Sequence, residues 1–403
     1  MIISQLFIFF VLAIVITRID KILWGTYYTP VTILLWPFLF LLTASYIFLK
    51  FELSHFELND RVIPIWTGGA ISFWLAGLVL KAVFRKMRLY TQKDYAIANS
   101  IQLKTSSLKA LIYVAYPLIL LVGYKIKLLL SRYNLADENF QKNLGAGILG
   151  HSILILTVIS ITLLIFFNQN KYKLHQIIVI LITLVFSILY GVKSWVIILL
   201  VSGFIGRLIT NKTKPKLKHL LFLIIPLILF WLIYQISLGM NPDSNKFIIK
   251  HMSDYLIAGP IGFSEHLNQN LPIGTNPSYA FTPIINIFNF IFGKPPIDVI
   301  SSYVVYIPTD FSTNVKTFFG TLYVYSGIKY VITSFTLGFI FYIYLLIFIY
   351  SIKINIAPLI VTLYSFMMGL LFMGWFDCYI IHLQFYEVPF IAIFLHFLSK
   401  LKI

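Results

Sequence analysis

The stretch STNVKTFFGTLYVYSG (Ser312–Gly327) lies at the boundary between two kinds of sequence in this chain. Before it lies one long polar segment that begins at Gly239, and after it apolar runs of membrane-spanning length resume. Of the 403 residues, 59% are hydrophobic and 11% are charged. A soluble domain of that composition would aggregate, so the sequence predicts an all-α polytopic integral membrane protein.

Length and hydropathy predict about eleven transmembrane helices within a single transmembrane domain, residues 1–403. The first apolar run lacks a basic segment and a small-residue cleavage site, so it is interpreted as a span and not as a signal peptide. One large extracytoplasmic loop, 239–327, is predicted between the eighth and ninth spans. The predicted spans lie near 2–17, 30–49, 63–83, 109–129, 146–167, 175–190, 194–210, 219–237, 328–350, 357–375 and 383–398.

Charged residues alternate between the connections. Lysines and arginines, among them Lys104, Lys212 and Lys400, dominate one set, and most carboxylates fall in the other. The positive-inside rule makes the basic set cytoplasmic, which predicts an external N-terminus, a cytoplasmic C-terminus and an external loop. Juxtamembrane lysines that contact anionic lipid then account for the formal net charge of +17. No nucleic-acid-binding signature accompanies that charge.

The long loop has several parts. Its first section, 245–259, has helical spacing of charged and apolar residues and is predicted to be a helix that Gly259–Pro260 ends. Residues 281–293 are apolar but too short to span, which favours an interfacial or re-entrant helix. Asparagines, tyrosines and lysines occur throughout the loop, and such a mixture suits a carbohydrate ligand carried on a diphosphate.

The sequence favours no metal or other cofactor. Cys378 is the single cysteine, which excludes an intramolecular disulfide and a cysteine-based metal cluster. No His-x-x-x-His or paired-aspartate motif is present. Five histidines occur singly near or within the predicted spans, and most of them are interpreted as structural: His151, His175, His219, His382 and His396.

The run TNVKTFFGTLYVYSGIKYVITSFTLGFI (Thr313–Ile340) resembles the segment after the large external loop of the bacterial oligosaccharide repeat-unit polymerases, the Wzy or O-antigen polymerase family. That family's pattern is roughly Thr-Asn-Val-Tyr-Thr, a short gap and Asp-Phe-Gly. Lys316 replaces the tyrosine here, and Tyr325–Ser326 replaces Asp-Phe. The matching positions are Thr313, Asn314, Val315, Thr317 and Gly327, with further counterparts in Tyr255–Gly259 and Gly191–Ser194.

The resemblance implies a GT-C-like fold in a bacterial inner (plasma) membrane. It implies an inverting, metal-independent glycosyltransferase without a cofactor, which transfers the growing glycan from undecaprenyl diphosphate to an incoming lipid-linked repeat unit at the outer face. An acceptor hydroxyl then needs a general base and the departing diphosphate needs cations. The base candidates are His251, Asp254 and Asp310; the diphosphate candidates are Lys250, Lys316, Lys193 and Arg132; the sugar-binding candidates are Tyr255, Asn314 and His266.

Other functions fit the same composition. A surface-glycan (O-antigen) ligase shares the large external loop and the donor, and a lipid-linked oligosaccharide flippase or another transporter shares the apolar spans. A transporter usually keeps charged residues inside its bundle, whereas the predicted spans of this chain have no acidic residue at mid-span. Polymerase is therefore preferred. The expected partners are membrane lipid and the undecaprenyl-diphosphate-linked oligosaccharide, with a chain-length regulator and a flippase implied by the resemblance alone.

Overall fold

The computed structural model describes residues 2–50, 58–84, 90–134, 137–167, 172–190, 193–214, 228, 231–232, 235, 244–297, 304–307, 311–354 and 358–400. Within these ranges the side chains at 48–50, 138, 193, 244–247, 249–251, 253, 307 and 311 are not described.

Helices form nearly all of the described structure. They are α1 (Ile2–Trp24), α2 (Pro30–Lys50), α3 (Val62–Val83), α4 (Gln92–Ser100), α5 (Thr105–Leu130), α6 (Glu138–Gly145), α7 (Gly147–Ile165), α8 (Lys173–Leu189), α9 (Lys193–Ile209), α10 (Ser244–Asn268), α11 (Thr282–Ile291), α12 (Phe318–Ser326), α13 (Tyr330–Lys353), α14 (Pro358–Phe372) and α15 (Leu383–Leu398). Short 3₁₀ turns cover Pro277–Phe281, Gly327–Lys329, Met373–Trp375 and Tyr379–Ile381. Strands β1 (Val305–Ile307) and β2 (Phe311–Thr313) form an antiparallel pair, with Tyr306 opposite Ser312.

Seven helical stretches of the described chain are long and apolar enough to cross a membrane. Three further apolar helices, which begin at Lys173, Ser194 and Leu383, are shorter. The chain is therefore an all-α protein of membrane-embedded type. The predicted eighth span, 219–237, lies largely outside the described residues, and the count of about eleven stays a prediction.

Helix α10 differs from its predicted form. The sequence predicted an end at Gly259–Pro260, whereas the helix continues through Pro260 to Asn268. Proline removes one helical hydrogen bond, but the second half of α10 is apolar and buried, as Ile261 and Phe263 illustrate. Burial of this face stabilises the helix beyond the proline.

The end of the predicted loop is also helical. Residues 318–326 form α12, which is almost completely buried, and α12, the turn at Gly327 and α13 make one apolar helical run from Phe318 to Lys353. Gly327 has φ +54°, a backbone conformation that glycine adopts without steric cost, and it separates the two helices. The polar segment therefore gives way to apolar structure earlier than the predicted boundary at 327.

The chain divides into two compact units, and unit 1 comprises 1–91, 253–349 and 370–386. Its core is aromatic. Trp66 of α3 stacks on Phe38 of α2 at 3.4 Å between ring centroids and meets Phe319 of α12 edge to face at 4.9 Å. Phe73 lies about two helical turns after Trp66 on the same face of α3, and it contacts Phe319 and Phe341. These rings fix α2, α3, α12 and α13 around one another.

One carboxylate is fully buried within unit 1. Asp20, near the end of α1, accepts hydrogen bonds from Trp74 Nε1 at 2.8 Å and from the Tyr342 hydroxyl at 2.7 Å. The sequence predicted that the first span ends at residue 17, before Asp20, but α1 continues to Trp24. The two donors supply the hydrogen bonds that a buried carboxylate requires, so Asp20 ties α1 to α3 and α13.

Unit 2 comprises 92–252, 350–369 and 387–403. Its centre is α7, which packs against α5, α8 and α9. Buried hydroxyls link these apolar helices: Ser160 donates to the Thr183 hydroxyl at 2.9 Å, and the Thr162 and Thr362 hydroxyls lie 3.0 Å apart. Small and hydroxyl-bearing residues of this kind allow close helix packing in a membrane.

Candidate functional site

Three segments of unit 1 converge on the chain just before α12. They are the second half of α10, the segment 313–317 that follows β2, and the connection 373–382 between α14 and α15. The Thr317 amide donates to the Phe376 carbonyl at 3.0 Å. Two glycines allow α10 to approach: a Cβ on Gly259 would lie 2.3 Å from the Trp375 carbonyl oxygen, and one on Gly262 would lie 2.3 Å from the Val315 carbonyl oxygen.

Thr317 forms a strained and fully buried corner at this point. Its φ is +64°, which is unfavourable for a β-branched residue. Its hydroxyl oxygen accepts from Trp66 Nε1 at 2.9 Å and from the Gly320 amide at 3.2 Å, which caps the start of α12. Strained backbone of this kind concentrates at functional sites and is maintained by the surrounding contacts. The corner fixes the direction in which the preceding residue, Lys316, projects.

Lys316 is buried, with 3% of its surface exposed. Its Nζ donates to the Asn314 carbonyl at 3.2 Å. Removal of the ammonium from water lowers the pKa of Lys316 to about 8, although the charge of Asp377 acts in the opposite direction. With a pKa of about 8, Lys316 is mainly protonated at physiological pH, and it loses its charge when the pH rises only slightly.

Asp377 lies beside this lysine in the 373–382 connection. Its Oδ1 accepts from the Thr321 hydroxyl at 2.9 Å and from the Cys378 amide at 2.8 Å. Desolvation raises the pKa of Asp377, while His382, the two hydrogen bonds and Lys316 limit the rise. The side chain of His382 reaches the surface, but the protein atoms around it exclude water from the ring. This desolvation lowers the pKa of His382, and the negative charge of Asp377 opposes the lowering.

His266 of α10 lies near the same lysine and is fully buried. Its Nε2 is 3.2 Å from the Pro272 carbonyl oxygen. Burial and the positive charge of Lys316 lower the pKa of His266 to about 4, so the ring is neutral at physiological pH. The neutral ring adds no positive charge beside Lys316 and leaves the lysine as the cation of this cluster.

Together these side chains form a polar cluster, which consists of Lys316, Asp377, Thr321, His382 and His266. It places a cation and a carboxylate together in surroundings of low dielectric constant. There their charges interact with each other more strongly than they would in water. A carboxylate with a raised pKa can accept a proton from a hydroxyl, and a cation can stabilise a departing anion. Perturbed pKa values in both partners are typical of functional sites.

The predicted site residues are only partly brought together. Lys316 and His266 belong to the polar cluster, and Tyr255 packs on Phe376 with 4.7 Å between ring centroids. Asn314 is exposed two residues before Lys316, and Asp254 is half-buried on α10.

The other predicted residues are separate from this cluster or lie outside the description. Arg132 is exposed after α5 and belongs to unit 2, as does Lys193 at the start of α9. Asp310 and the side chains of Lys193, Lys250 and His251 lie outside the described residues.

Sequence reasoning did not select Asp377, His382 or Arg61 as site residues. The available signal was the polar interruption WFDCYIIH (Trp375–His382) between two apolar runs, in which Asp377 and His382 are five positions apart. Arg61, at the start of α3, donates to the Tyr323 hydroxyl on α12 at 2.7 Å. The backbone amide of the nearby Asn59 donates to the Ser264 hydroxyl of α10 at 2.7 Å, which ties the start of α3 to α10. Arg61 itself is exposed at this end of unit 1.

Comparison with known proteins gives a family without an assigned activity. A model of the family of unknown function DUF6337 matches residues 56–403, and the chain therefore belongs to that family. No curated protein and no solved structure matches the chain significantly. The matched region contains every residue of the polar cluster.

Proposed function

We propose that this member of DUF6337 polymerises oligosaccharide repeat units carried on undecaprenyl diphosphate, at the outer face of a bacterial inner membrane. The growing glycan is transferred to an incoming lipid-linked repeat unit. The resemblance to the Wzy family further implies that the protein is an inverting glycosyltransferase that needs no metal. The proposal combines the membrane-embedded, helical character of the chain with the resemblance of Thr313–Ile340 to the Wzy family.

The observation that carries the proposal is the position of the polar cluster. Lys316 lies within the segment that resembles the family, and Asp377, from a segment sixty-one positions further along the chain, lies within electrostatic reach of it. A buried lysine beside a half-buried, desolvated carboxylate is costly to maintain in an apolar protein, so the pair is a functional candidate. Glycosyl transfer from a diphosphate needs these two chemical groups.

Each group has a definite task in this reaction. The acceptor hydroxyl attacks the anomeric carbon of the growing glycan, a new C–O bond forms, and the bond to the diphosphate breaks. Asp377 accepts the proton of the hydroxyl, and Lys316 stabilises the charge that develops on the departing undecaprenyl diphosphate. Lys316 is buried in the described conformation, so the substrate reaches it only after the residues that cover it move. His251, Asp254 and Asp310 remain alternative bases, and Arg61 joins Lys193, Lys250 and Arg132 as an alternative cation.

The first test is deletion of the gene in its source bacterium, followed by restoration. A gel profile of the surface glycan should lose its polymer ladder on deletion while a single repeat unit still reaches the surface. Restoration should return the ladder. Absence of any repeat unit at the surface would favour a flippase, and accumulation of unattached lipid-linked polymer would favour a ligase.

The second test restores the deletion strain with site variants. Lys316→Gln and Asp377→Asn should each reduce polymer at least about a hundredfold, the usual scale for loss of one acid–base or charge-stabilising group. The matched controls are Lys329→Gln and Asp60→Asn, which change exposed residues of the same unit. Normal ladders from both site variants, at normal protein levels in the membrane, would remove the polar cluster from the mechanism.

A further inference from the structure

Unit 2 contains a cavity that the proposed function does not use. It has a volume of about 410 Å³ and lies among the α4–α5 connection, the start of α14 and the end of α15. That volume is within the usual range for small-molecule sites, roughly 300–1,000 Å³. Its lining combines apolar residues such as Leu103 and Leu359 with polar ones such as Gln102 and His396.

The charge in this cavity is of one sign. Lys104 and Lys400 line it, and no carboxylate is among the lining residues that the structure describes. Both lysines are exposed, so their ammonium groups are accessible from solvent. The positive-inside pattern assigned these two residues, 296 positions apart, to the same side of the membrane, and the structure places them around one cavity. An accessible cavity with two cations and no acid favours an anionic ligand.

Hydrogen bonds fix the two sides of the cavity that carry the lysines. The Ser107 hydroxyl of α5 donates to the Ser399 carbonyl at 2.9 Å, and the Ser399 hydroxyl donates to the His396 carbonyl at 2.8 Å. The first of these bonds holds the start of α5, where Lys104 lies, against the end of α15, where Lys400 lies. The two backbone segments that carry the lysines are thereby held together before any ligand binds, which reduces the entropic cost of binding.

A third cation fixes the remaining wall. Lys212 Nζ donates to the carbonyls of Ile101 and Asn99, at 2.7 and 3.1 Å. Burial and the charge of Arg207 lower the pKa of Lys212. Lys212 and Arg207 line a smaller cavity of about 230 Å³, to which residues 101–103 also contribute. The connection 101–103 thus lines both cavities, and the bonds from Lys212 hold it as a pre-formed wall of the larger one.

We propose that the larger cavity binds the phosphate group of a small organic ligand. Lys104 and Lys400 contact the phosphate. The amides in the first turn of α5 add donors, because the residue before the helix, Lys104, does not cap them with its side chain. The apolar lining contacts the organic part of the ligand, which a cavity of this size accommodates beside a phosphate. Two sources carry such a phosphate, the headgroup of an anionic lipid and a soluble phosphate ester, and the experiment separates them.

The test uses the purified full-length protein in a neutral detergent. Binding of dioctanoyl phosphatidic acid and of glycerol 3-phosphate is measured separately by microscale thermophoresis, with dioctanoyl phosphatidylcholine as a zwitterionic comparison. The double variant Lys104→Gln/Lys400→Gln should weaken binding of the phosphate ligand at least tenfold. The matched control is Lys93→Gln/Lys329→Gln, which removes two exposed lysines outside the cavity lining and should leave binding unchanged.

Each outcome decides the question. Binding of phosphatidic acid alone, lost in the double variant, supports the site with a lipid headgroup as its source. Binding of glycerol 3-phosphate, lost in the same variant, supports the site with a soluble ester. Absence of binding by both probes overturns the proposal, and so does equal binding by the double variant and the unmodified protein. Neither result depends on glycan polymerisation, so failure here leaves the proposed function intact.

Discussion

At the scale of single residues, Lys316 is the clearest case of a group that lowers the stability of the protein. Its pKa falls from 10.5 in the unfolded chain to about 8 in the folded protein. Between these values the unfolded chain binds a proton that the folded protein has released, so the free energy of unfolding rises with pH across that window. Below about pH 8 the charged lysine therefore costs the folded state roughly 3 kcal/mol.

The variant Lys316→Met should stabilise the protein because it removes this buried charge. We expect a gain of about 1–3 kcal/mol at pH 7, somewhat reduced because Asp377 loses the attraction of the cation. The gain should shrink at pH 9.5, where the lysine of the unmodified protein is already neutral. Thermal unfolding in detergent at the two pH values measures it, with Lys329→Met as the exposed control. Lower stability of Lys316→Met at both pH values would contradict this account.

Activity should depend on pH through the same lysine if the proposed function holds. The cationic form of Lys316 is lost as the pH rises through about 8, so polymer synthesis by membrane preparations should decline above that pH. In Lys316→Arg the charge persists at all accessible pH values, so the decline should disappear even if total activity is lower. An unmodified protein with constant activity from pH 7 to pH 9.5 would show that this cation is not required.

At the scale of elements, the site depends on how closely α10 approaches the 373–382 connection. Gly259→Ala should break this contact, because the new Cβ would lie 2.3 Å from the Trp375 carbonyl oxygen and backbone cannot move as a side chain can. We expect a loss of at least about 2 kcal/mol in stability, together with loss of activity. Gly123→Ala in α5 is the matched control, since nothing lies within 4 Å of its added Cβ. Similar melting temperatures for both variants would contradict the described packing.

Helix α11 is the second element whose sequence and structure lead to a test. It is ten residues long, too short to span, and its apolar side chains are exposed, with Phe290 85% and Ile291 64% exposed. Of the two predicted positions, interfacial and re-entrant, such an exposed apolar face favours the membrane interface, and we expect α11 to lie there. In vesicles, a spin label at Phe290 should be shielded from a water-soluble relaxation agent, whereas one at Gln269, an exposed polar position, should not. Equal water exposure of both labels would exclude the interfacial position.

At the scale of the whole molecule, the testable property is topology. The alternation of basic and acidic connections predicts an external N-terminus and a cytoplasmic C-terminus. A green fluorescent protein fused after Ile403 should therefore fluoresce, and an alkaline phosphatase fused within 268–277 should be active. The reverse fusions are the controls. An inactive phosphatase in the loop would place the polar cluster on the cytoplasmic side and remove the basis for a reaction at the outer face.

The sequence by itself determined the class of the protein and much of its helical layout. In a membrane, the backbone N–H and C=O groups of such long apolar runs find hydrogen-bond partners only when the run is helical. The helical class therefore did not depend on packing. The runs near 30–49, 63–83 and 146–167 correspond to α2, α3 and α7 to within a few residues. Local signals were less reliable where tertiary contacts compete with them. Pro260 signals a helix end, but burial of the following residues carries α10 onward.

Only the tertiary structure decided which polar residues meet. Sequence proximity grouped Lys250, His251 and Asp254 around one helix, whereas folding brings Lys316 together with Asp377 and His266, from three separate segments. Lys104 and Lys400 meet in the same way around the cavity of unit 2. The physical reason is that hydropathy and charge assign each residue to the membrane or to one of its sides. The lateral arrangement of helices, which sets these contacts, depends instead on close packing among rings and glycines far apart in the chain.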